Sequence, residues 1–160
     1  MRDDGRMAWW RVKVLVNLVN LSTPLGLLVG TLGRSRFSPG PRGLVLATSY
    51  RLGFPVARAF TVGNVVVSRH DRAWLDAHPR LLRHEERHSW QYVVCLGLPM
   101  LPLYGVAAVY SLLRARNYAS RNPFERLAGL DDGGYSVVPA TVRTGTRRAS
   151  GPGSGSPGDG

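Results

Sequence analysis

One five-residue stretch of this 160-residue sequence combines two histidines with a glutamate at a spacing that suits metal chemistry. His84 and His88 are four residues apart, with Glu85 directly after the first, which is the pattern H-E-x-x-H. On a helix, residues four apart share a face, so the two imidazoles can reach one ion. Zinc binds neutral imidazole nitrogens, and Glu85 is placed to act as general base on a water that the metal activates. The stretch therefore predicts a zinc site with hydrolytic chemistry.

A zinc ion needs a third protein ligand, and the sequence offers four residues for that role. Cys95 lies about 10 Å further along the same helix, which is too far for the same ion. His70 and His78 precede the helix, and nothing in the sequence positions them. Glu125 opens a later helix in NPFERLA (122–128), and it returns to the histidines if the chain reverses at the prolines in between. Glu125 is therefore the predicted third ligand.

Glu125 also has a structural interpretation that the sequence leaves open. With Asn122 as N-cap and Pro123 at the first helical position, Glu125 occupies the third position, where the glutamate of a capping box belongs. A ligand and a cap are equally compatible with this spacing.

The histidine pair has a structural alternative too. His84 and His88 could be exposed helix residues paired with Glu85 and Glu86. Gln91, three residues past His88, shares its face and could hydrogen-bond either a metal ligand or the backbone.

The surrounding sequence predicts the elements that would position this site. Two apolar runs, 44–50 and 59–68, are rich in β-branched and aromatic residues and predict strands. Gly63-Asn64 in the second run is a two-residue hairpin signal. A Gly- and Pro-rich loop is expected at 33–43. Helices are expected from about Pro79 to Leu96, from Leu103 to Arg116, and from Asn122 onward, while the Gly/Ser/Pro-rich segment 138–160 predicts a disordered tail.

The uncharged run Ser89–Leu113 supports two exclusive interpretations. It is long enough to span a bilayer, which needs about 20 residues, but a span would separate His88 from Glu125. A helical hairpin at Pro99–Pro102 would bring them together, and the prolines favour it. The apolar tip of such a hairpin can still dip into a membrane surface.

The N-terminal residues 1–32 predict an apolar helix from about Trp9 to Val19, followed by a break near Pro24. Residues 14–32 carry no charge and follow several basic residues, as in a signal peptide or an anchor. The polar residues in the middle of this run favour a position in the membrane interface over insertion.

Composition limits the partners. The net charge is +11, which suits anionic partners, but the basic residues are scattered and no run of five or more occurs. Nucleic-acid binding is therefore not expected. The single cysteine, Cys95, excludes an intrachain disulfide and is compatible with a reducing compartment.

The order of these motifs resembles a known class. H-E-x-x-H followed some tens of residues later by E-x-x-A resembles the gluzincin zinc peptidases, and this implies His84, His88 and Glu125 as zinc ligands with Glu85 as the base. More narrowly, RHEERHSWQY, LPLYG and SRNPFERLAG resemble short bacterial proteins with a minimal zincin-like core, over roughly residues 60–135. Active zincins normally have uncharged residues inside the motif, and here they are Glu86 and Arg87. This departure bears on catalysis more than on metal binding.

Together these features predict an α+β fold with an apolar N-terminal helix (1–32), a zincin-like core (33–137) and a basic tail (138–160). The core is expected to contain a small antiparallel sheet, the H-E-x-x-H helix, a Pro-turn helical hairpin and a short Glu-bearing helix. The expected function is a gluzincin-type zinc-dependent hydrolase, most simply a peptidase, at the cytoplasmic side of a membrane surface. The alternatives are a non-catalytic membrane-associated protein with a structural or vestigial metal site, and a soluble cytoplasmic location. Substrate and oligomeric state are left open.

Overall fold

The computed structural model describes residues 4–55 and 57–135, and within them the fold is α+β, as predicted. The helices are α1 Asp4–Val19, α2 Ser22–Leu32, α3 Arg72–Asp76, α4 Pro79–Val94, α5 Met100–Ala115 and α6 Pro123–Ala128. The strands are β1 Arg36–Pro39, β2 Val45–Thr48, β3 Ala59–Val62 and β4 Val65–Ser68, and a 3₁₀ turn covers Pro41–Gly43. The predicted tail, 138–160, lies outside the described residues.

The four strands form one sheet in the order β1-β2-β4-β3. The predicted hairpin is confirmed, because β3 and β4 pair antiparallel across Gly63-Asn64. The expectation of a wholly antiparallel sheet was wrong, because β2 and β4 pair in parallel. The physical reason lies in β4, whose residues Val65–Ser68 are all buried, as in a central strand covered on both faces.

Strand β1 was predicted as part of a loop, and this prediction was wrong for Arg36–Pro39. The strand is mostly exposed and lies at the sheet edge, so it shows no apolar alternation. Pro39, at its end, is tolerated because an edge strand has backbone positions that need no donor.

The N-terminal segment forms two helices that pack against the sheet and α4. The predicted break is present at Asn20–Leu21, slightly before Pro24, which lies in the first turn of α2. Asn17 is fully buried, and its side-chain amide donates to Asn64 and to the carbonyl of Ser89. These bonds join α1, the β3–β4 turn and α4 into one packed unit.

The predicted turn lies between α4 and α5, and α5 contacts α6. Helix α4 ends at Val94, the chain turns through Gly97, and α5 begins at Met100. No single helix of residues 4–55 and 57–135 is both long and apolar enough to cross a bilayer. Trp9–Val19 and Ser22–Leu32 meet the length and composition test only as a pair, and they are bent by 73°.

Candidate metal centre

Helix α4 supplies most of the predicted site. It begins at Pro79, which suits a first helical position, and its inner face buries Leu81, His84, Glu85 and His88 against β3 and α6. Polar residues so buried require partners, and each of them has one. The predicted alternative of exposed histidines is therefore wrong: His84 is 1% and His88 7% exposed.

The ring of His84 is oriented by two carbonyl groups. Its Nδ1 lies 3.1 Å from Ala128 O and 3.0 Å from Gly129 O, at the end of α6. Both partners can only accept, so Nδ1 must carry the proton and donate. In the neutral ring, Nε2 then holds a free lone pair directed into the core.

His88 has the same tautomer for a different reason. Its Nδ1 lies 2.8 Å from the side-chain oxygen of Gln91. The Gln91 amide nitrogen donates to Phe124 O at 2.8 Å, which fixes the amide orientation. Nδ1 of His88 therefore donates to Gln91, and Nε2 again presents a lone pair. Both roles considered for Gln91 are therefore observed, because its side chain bonds His88 and a backbone carbonyl.

Glu125 completes the group from the start of α6. The capping-box alternative is wrong, because the Asn122 side chain caps the helix alone and its backbone N–H donates to Ala119 O. The Glu125 carboxylate, 2% exposed, instead accepts a hydrogen bond from the Tyr104 hydroxyl of α5. Tyr104 was not predicted as a site residue, because no spacing rule in the sequence connects it to Glu125.

The three side chains converge at ligand distances. Nε2 of His84 and Nε2 of His88 are 3.1 Å apart, and the nearest Glu125 oxygens lie 3.2 Å from His84 Nε2 and 3.6 Å from His88 Nε2. Two atoms bound to a tetrahedral zinc at about 2.05 Å are themselves about 3.3 Å apart. All three ligand atoms lie within 4.8 Å of one another. The group can therefore hold a metal ion.

The hydrogen bonding of the group supports the same conclusion. The buried oxygen Oε2 of Glu125 has no hydrogen-bond partner, although His84 Nε2 is close. Two imidazole lone pairs and a carboxylate directed at one point repel each other unless a cation or an extra proton lies between them. A divalent cation satisfies all three at once.

Without metal, the pKa values of His88 and Glu125 shift in the directions that favour a proton held between them. Burial alone would lower the pKa of His88, but hydrogen bonding to Glu125 and the charge of Glu85 outweigh it, so the pKa is raised. Burial alone would raise the pKa of Glu125, but the adjacent His84 and His88 imidazoles hold that pKa well below its usual range. Without metal, a proton takes the place of the cation.

Glu85 lies beside the group without joining it. Its carboxylate is 3% exposed and accepts a hydrogen bond of 2.7 Å from the Thr61 hydroxyl on β3. Strand β3 thus fixes the side chain that the sequence predicts as the base. Thr61 was not predicted as a site residue.

A cleft of about 370 Å³ leads to Glu85. Its walls are the segment before β3, the start of α4, and the loop that follows α6. The residues lining it include Arg58, His70, Glu85, Tyr118 and Tyr135. A larger cleft of about 590 Å³, next to Arg126, contains none of the predicted site residues.

The loop after α6 passes directly over the group. A side-chain carbon added to Gly133 would lie 2.9 Å from His84 Nε2. Only glycine allows the backbone to approach this closely. The ring of Tyr135 lies 6.0 Å from that of His84.

The two charged residues inside the motif have structural partners outside the site. Glu86 forms ion pairs with buried Lys13 of α1 and with Arg42. Arg87 pairs with Asp132, in the loop that covers the site. Both side chains point away from His84, His88 and Glu125, and they attach neighbouring segments to α4.

The remaining candidate ligands are elsewhere. His70 and His78 stack on the two faces of Trp74, each with ring centroids 3.8 Å apart. Cys95 lies beyond the end of α4. Among the described residues, the group suited to a metal is His84, His88 and Glu125.

Comparison with known proteins adds no assignment to this geometry. No family model, no curated protein and no solved structure matches the chain.

Proposed function

We propose that this protein is a zinc-dependent hydrolase, most simply a gluzincin-type peptidase, that works at a membrane surface. The observation that carries the proposal is the buried convergence of His84, His88 and Glu125, with the separate carboxylate of Glu85 at the end of a cleft. Two neutral imidazoles and one carboxylate are a donor set typical of catalytic zinc, which keeps a further position open.

The proposed reaction assigns one role to each residue. Bound zinc would polarise the scissile carbonyl and lower the pKa of an attacking water. Glu85 removes the proton of that water as its oxygen bonds to the carbonyl carbon, and then delivers the proton to the departing amine nitrogen. Thr61 keeps the Glu85 carboxylate in place by hydrogen bonding to one of its two oxygens. Gln91 and Tyr104 hold the ligands His88 and Glu125.

A specific observation favours a second candidate, a non-catalytic membrane-associated protein with a structural metal site. Structural zinc sites are closed, and the backbone of Gly133 lies close to the metal-facing nitrogen of His84. In this alternative, the loop after α6 supplies cover and no substrate enters.

Two substitutions separate these candidates. Glu85→Gln should keep the metal but lower peptide hydrolysis at least about 100-fold, because it removes the general base. The matched control Glu86→Gln, one residue further along α4, should retain most of the activity at a temperature where it is folded. A broad peptide library, assayed with zinc-loaded protein, provides the substrates.

If zinc-loaded wild-type protein cleaves nothing in the library beyond the level of Glu85→Gln, the structural-site candidate replaces the hydrolase.

A further inference from the structure

The shared end of α1 and α4 exposes a cluster of large apolar side chains. We refer to this cluster as the apolar corner, and it consists of Val19, Leu21, Val94, Leu96, Leu98 and Leu101. Val94 and Leu96 are 78% and 79% exposed, and Val19 is 73% exposed. Side chains exposed to this degree protrude from the surface and stabilise nothing within the fold.

Contacts along α1 and α4 show that these residues form one surface. Lys13 meets Glu86, Asn17 meets Ser89, and Asn20 meets Tyr92, so the two helices run parallel and end together.

The turns after the two helices are in direct contact. A side-chain carbon added to Gly97 would lie 2.6 Å from the side chain of Asn20. The α1–α2 turn and the α4–α5 turn therefore abut, which places Leu21 and Leu96 on the same end of the molecule.

Both of these leucines have an unfavourable backbone conformation. Leu21 has φ 66° and Leu96 has φ 58°, in the left-handed region that glycine and asparagine adopt most easily. Each follows the end of a helix, where glycine is the usual residue. A strained and exposed leucine is unfavourable in the isolated protein, and contact with an external apolar partner would offset this cost.

The charge distribution identifies the kind of partner. Residues 5–70 contain nine basic and no acidic residues, and residues 87–124 contain four basic and no acidic residues. These stretches include nearly all of α1 and the whole of α2 and α5. Lys13, Arg42 and Arg87 form ion pairs with Glu86 or Asp132, and the other basic residues of these stretches favour an anionic surface as the partner.

We propose that the apolar corner inserts into the headgroup region of an anionic lipid bilayer. Protruding leucines on a turn suit insertion to about 5–10 Å into the headgroup region. His88 lies six residues before Val94 on α4, which is about 9 Å along the axis, so docking would hold the metal group close to the membrane. The inference deepens the membrane part of the proposed function and requires neither metal nor hydrolysis.

The test uses the full-length protein and vesicles of phosphatidylcholine, with and without phosphatidylglycerol. The double variant Leu21→Asn/Leu96→Asn keeps a residue that tolerates positive φ at both positions. It should bind anionic vesicles at least about ten-fold more weakly in co-sedimentation, while its melting temperature stays equal or rises. Leu127→Gln, which alters a 75% exposed leucine on α6, is the control and should bind like wild type.

Three results would overturn the inference. These are equal vesicle binding by the double variant and wild type, an equal loss in Leu127→Gln, and a lipid-independent dimer, seen by light scattering, that the double variant abolishes. Because binding is measured without turnover, its failure is distinct from failure of the hydrolase proposal.

Discussion

At the scale of single residues, metal binding depends on which ring nitrogen of His84 and of His88 carries the proton. His84 and His88 each donate from Nδ1, to backbone carbonyls in one case and to Gln91 in the other. This leaves both Nε2 atoms as acceptors, 3.1 Å apart, with Glu125 beside them. The H-E-x-x-H spacing predicted the pair, and the position of Gln91 indicated a partner for His88. The partners of His84 could not be predicted, because they are backbone groups at the end of α6, more than forty residues away in sequence.

Removal of the hydrogen bond to His88 should weaken the metal without unfolding the protein. Gln91→Ala is expected to lower zinc affinity about 10- to 100-fold, because His88 loses the acceptor that fixes its ring. Gln91→Glu keeps an acceptor for His88 but loses the donor to Phe124 O, so it should retain more affinity than Gln91→Ala. Competition with a chromogenic chelator measures both, and unchanged affinity in Gln91→Ala would contradict the role of Gln91.

The raised pKa of His88 affects the stability of the metal-free protein and the zinc affinity in opposite directions as pH rises. Without metal, the extra proton stabilises the fold at acid pH, and this stability is lost as pH rises through the raised pKa. Zinc requires the neutral ring, so its affinity rises over the same range, above the ordinary histidine value of about 6.5. The difference in melting temperature between zinc-loaded and chelated protein should therefore widen from about pH 6 to pH 8.

A difference in melting temperature that stays constant across this pH range would show that His88 is not a ligand. His84→Ala, tested in parallel, should show no zinc-induced difference at any pH.

At the scale of elements, α4 is the organising helix. Its inner face carries the proposed metal ligands His84 and His88, and its motif residues Glu86 and Arg87 attach α1 and the loop after α6. The sequence predicted α4, the β3–β4 hairpin and the reversal before α5 from local signals, namely Pro79, Gly63-Asn64 and Gly97. It did not predict β1 or the parallel β2–β4 pair, because neither has a local signal: the first is exposed, and the second joins strands far apart in sequence.

The pair Lys13–Glu86 yields a prediction for the stability of this arrangement. Lys13 is fully buried, and burial lowers its pKa in spite of the attraction of Glu86. Glu86→Gln should therefore destabilise the protein by about 3 kcal/mol or more, because it leaves a buried charge without its partner. Lys13→Met should cost much less, and the double variant should recover most of the loss.

Urea unfolding of the three variants measures this cycle. If Glu86→Gln costs no more than Lys13→Met, the ion pair is not what joins α1 to α4. The double variant also provides a stability-matched control for the activity test of Glu85→Gln.

At the scale of the whole molecule, the uncharged segment Ser89–Leu113 turns back between α4 and α5, which allows His88 and Glu125 to lie together. The alternative of a span across Ser89–Leu113 required His88 and Glu125 to separate, whereas α5 folds back so that Tyr104 reaches Glu125. Prolines and glycines made this reversal predictable, but they could not place Tyr104 or Gly133, whose positions depend on how the helices pack. The N-terminal helices, predicted as a separate segment, contact the sheet and α4 through buried asparagines.

Zinc content measured on purified protein tests the central claim most directly. After zinc loading and dialysis to remove the free zinc, elemental analysis should find about one zinc per chain in wild type and in Glu85→Gln. Much less zinc is expected in the three ligand variants, because two remaining ligands hold zinc too weakly. The ligand variants are His84→Ala, His88→Ala and Glu125→Ala. Equal zinc content in the wild type and all three ligand variants, each shown to be folded, would contradict the metal centre.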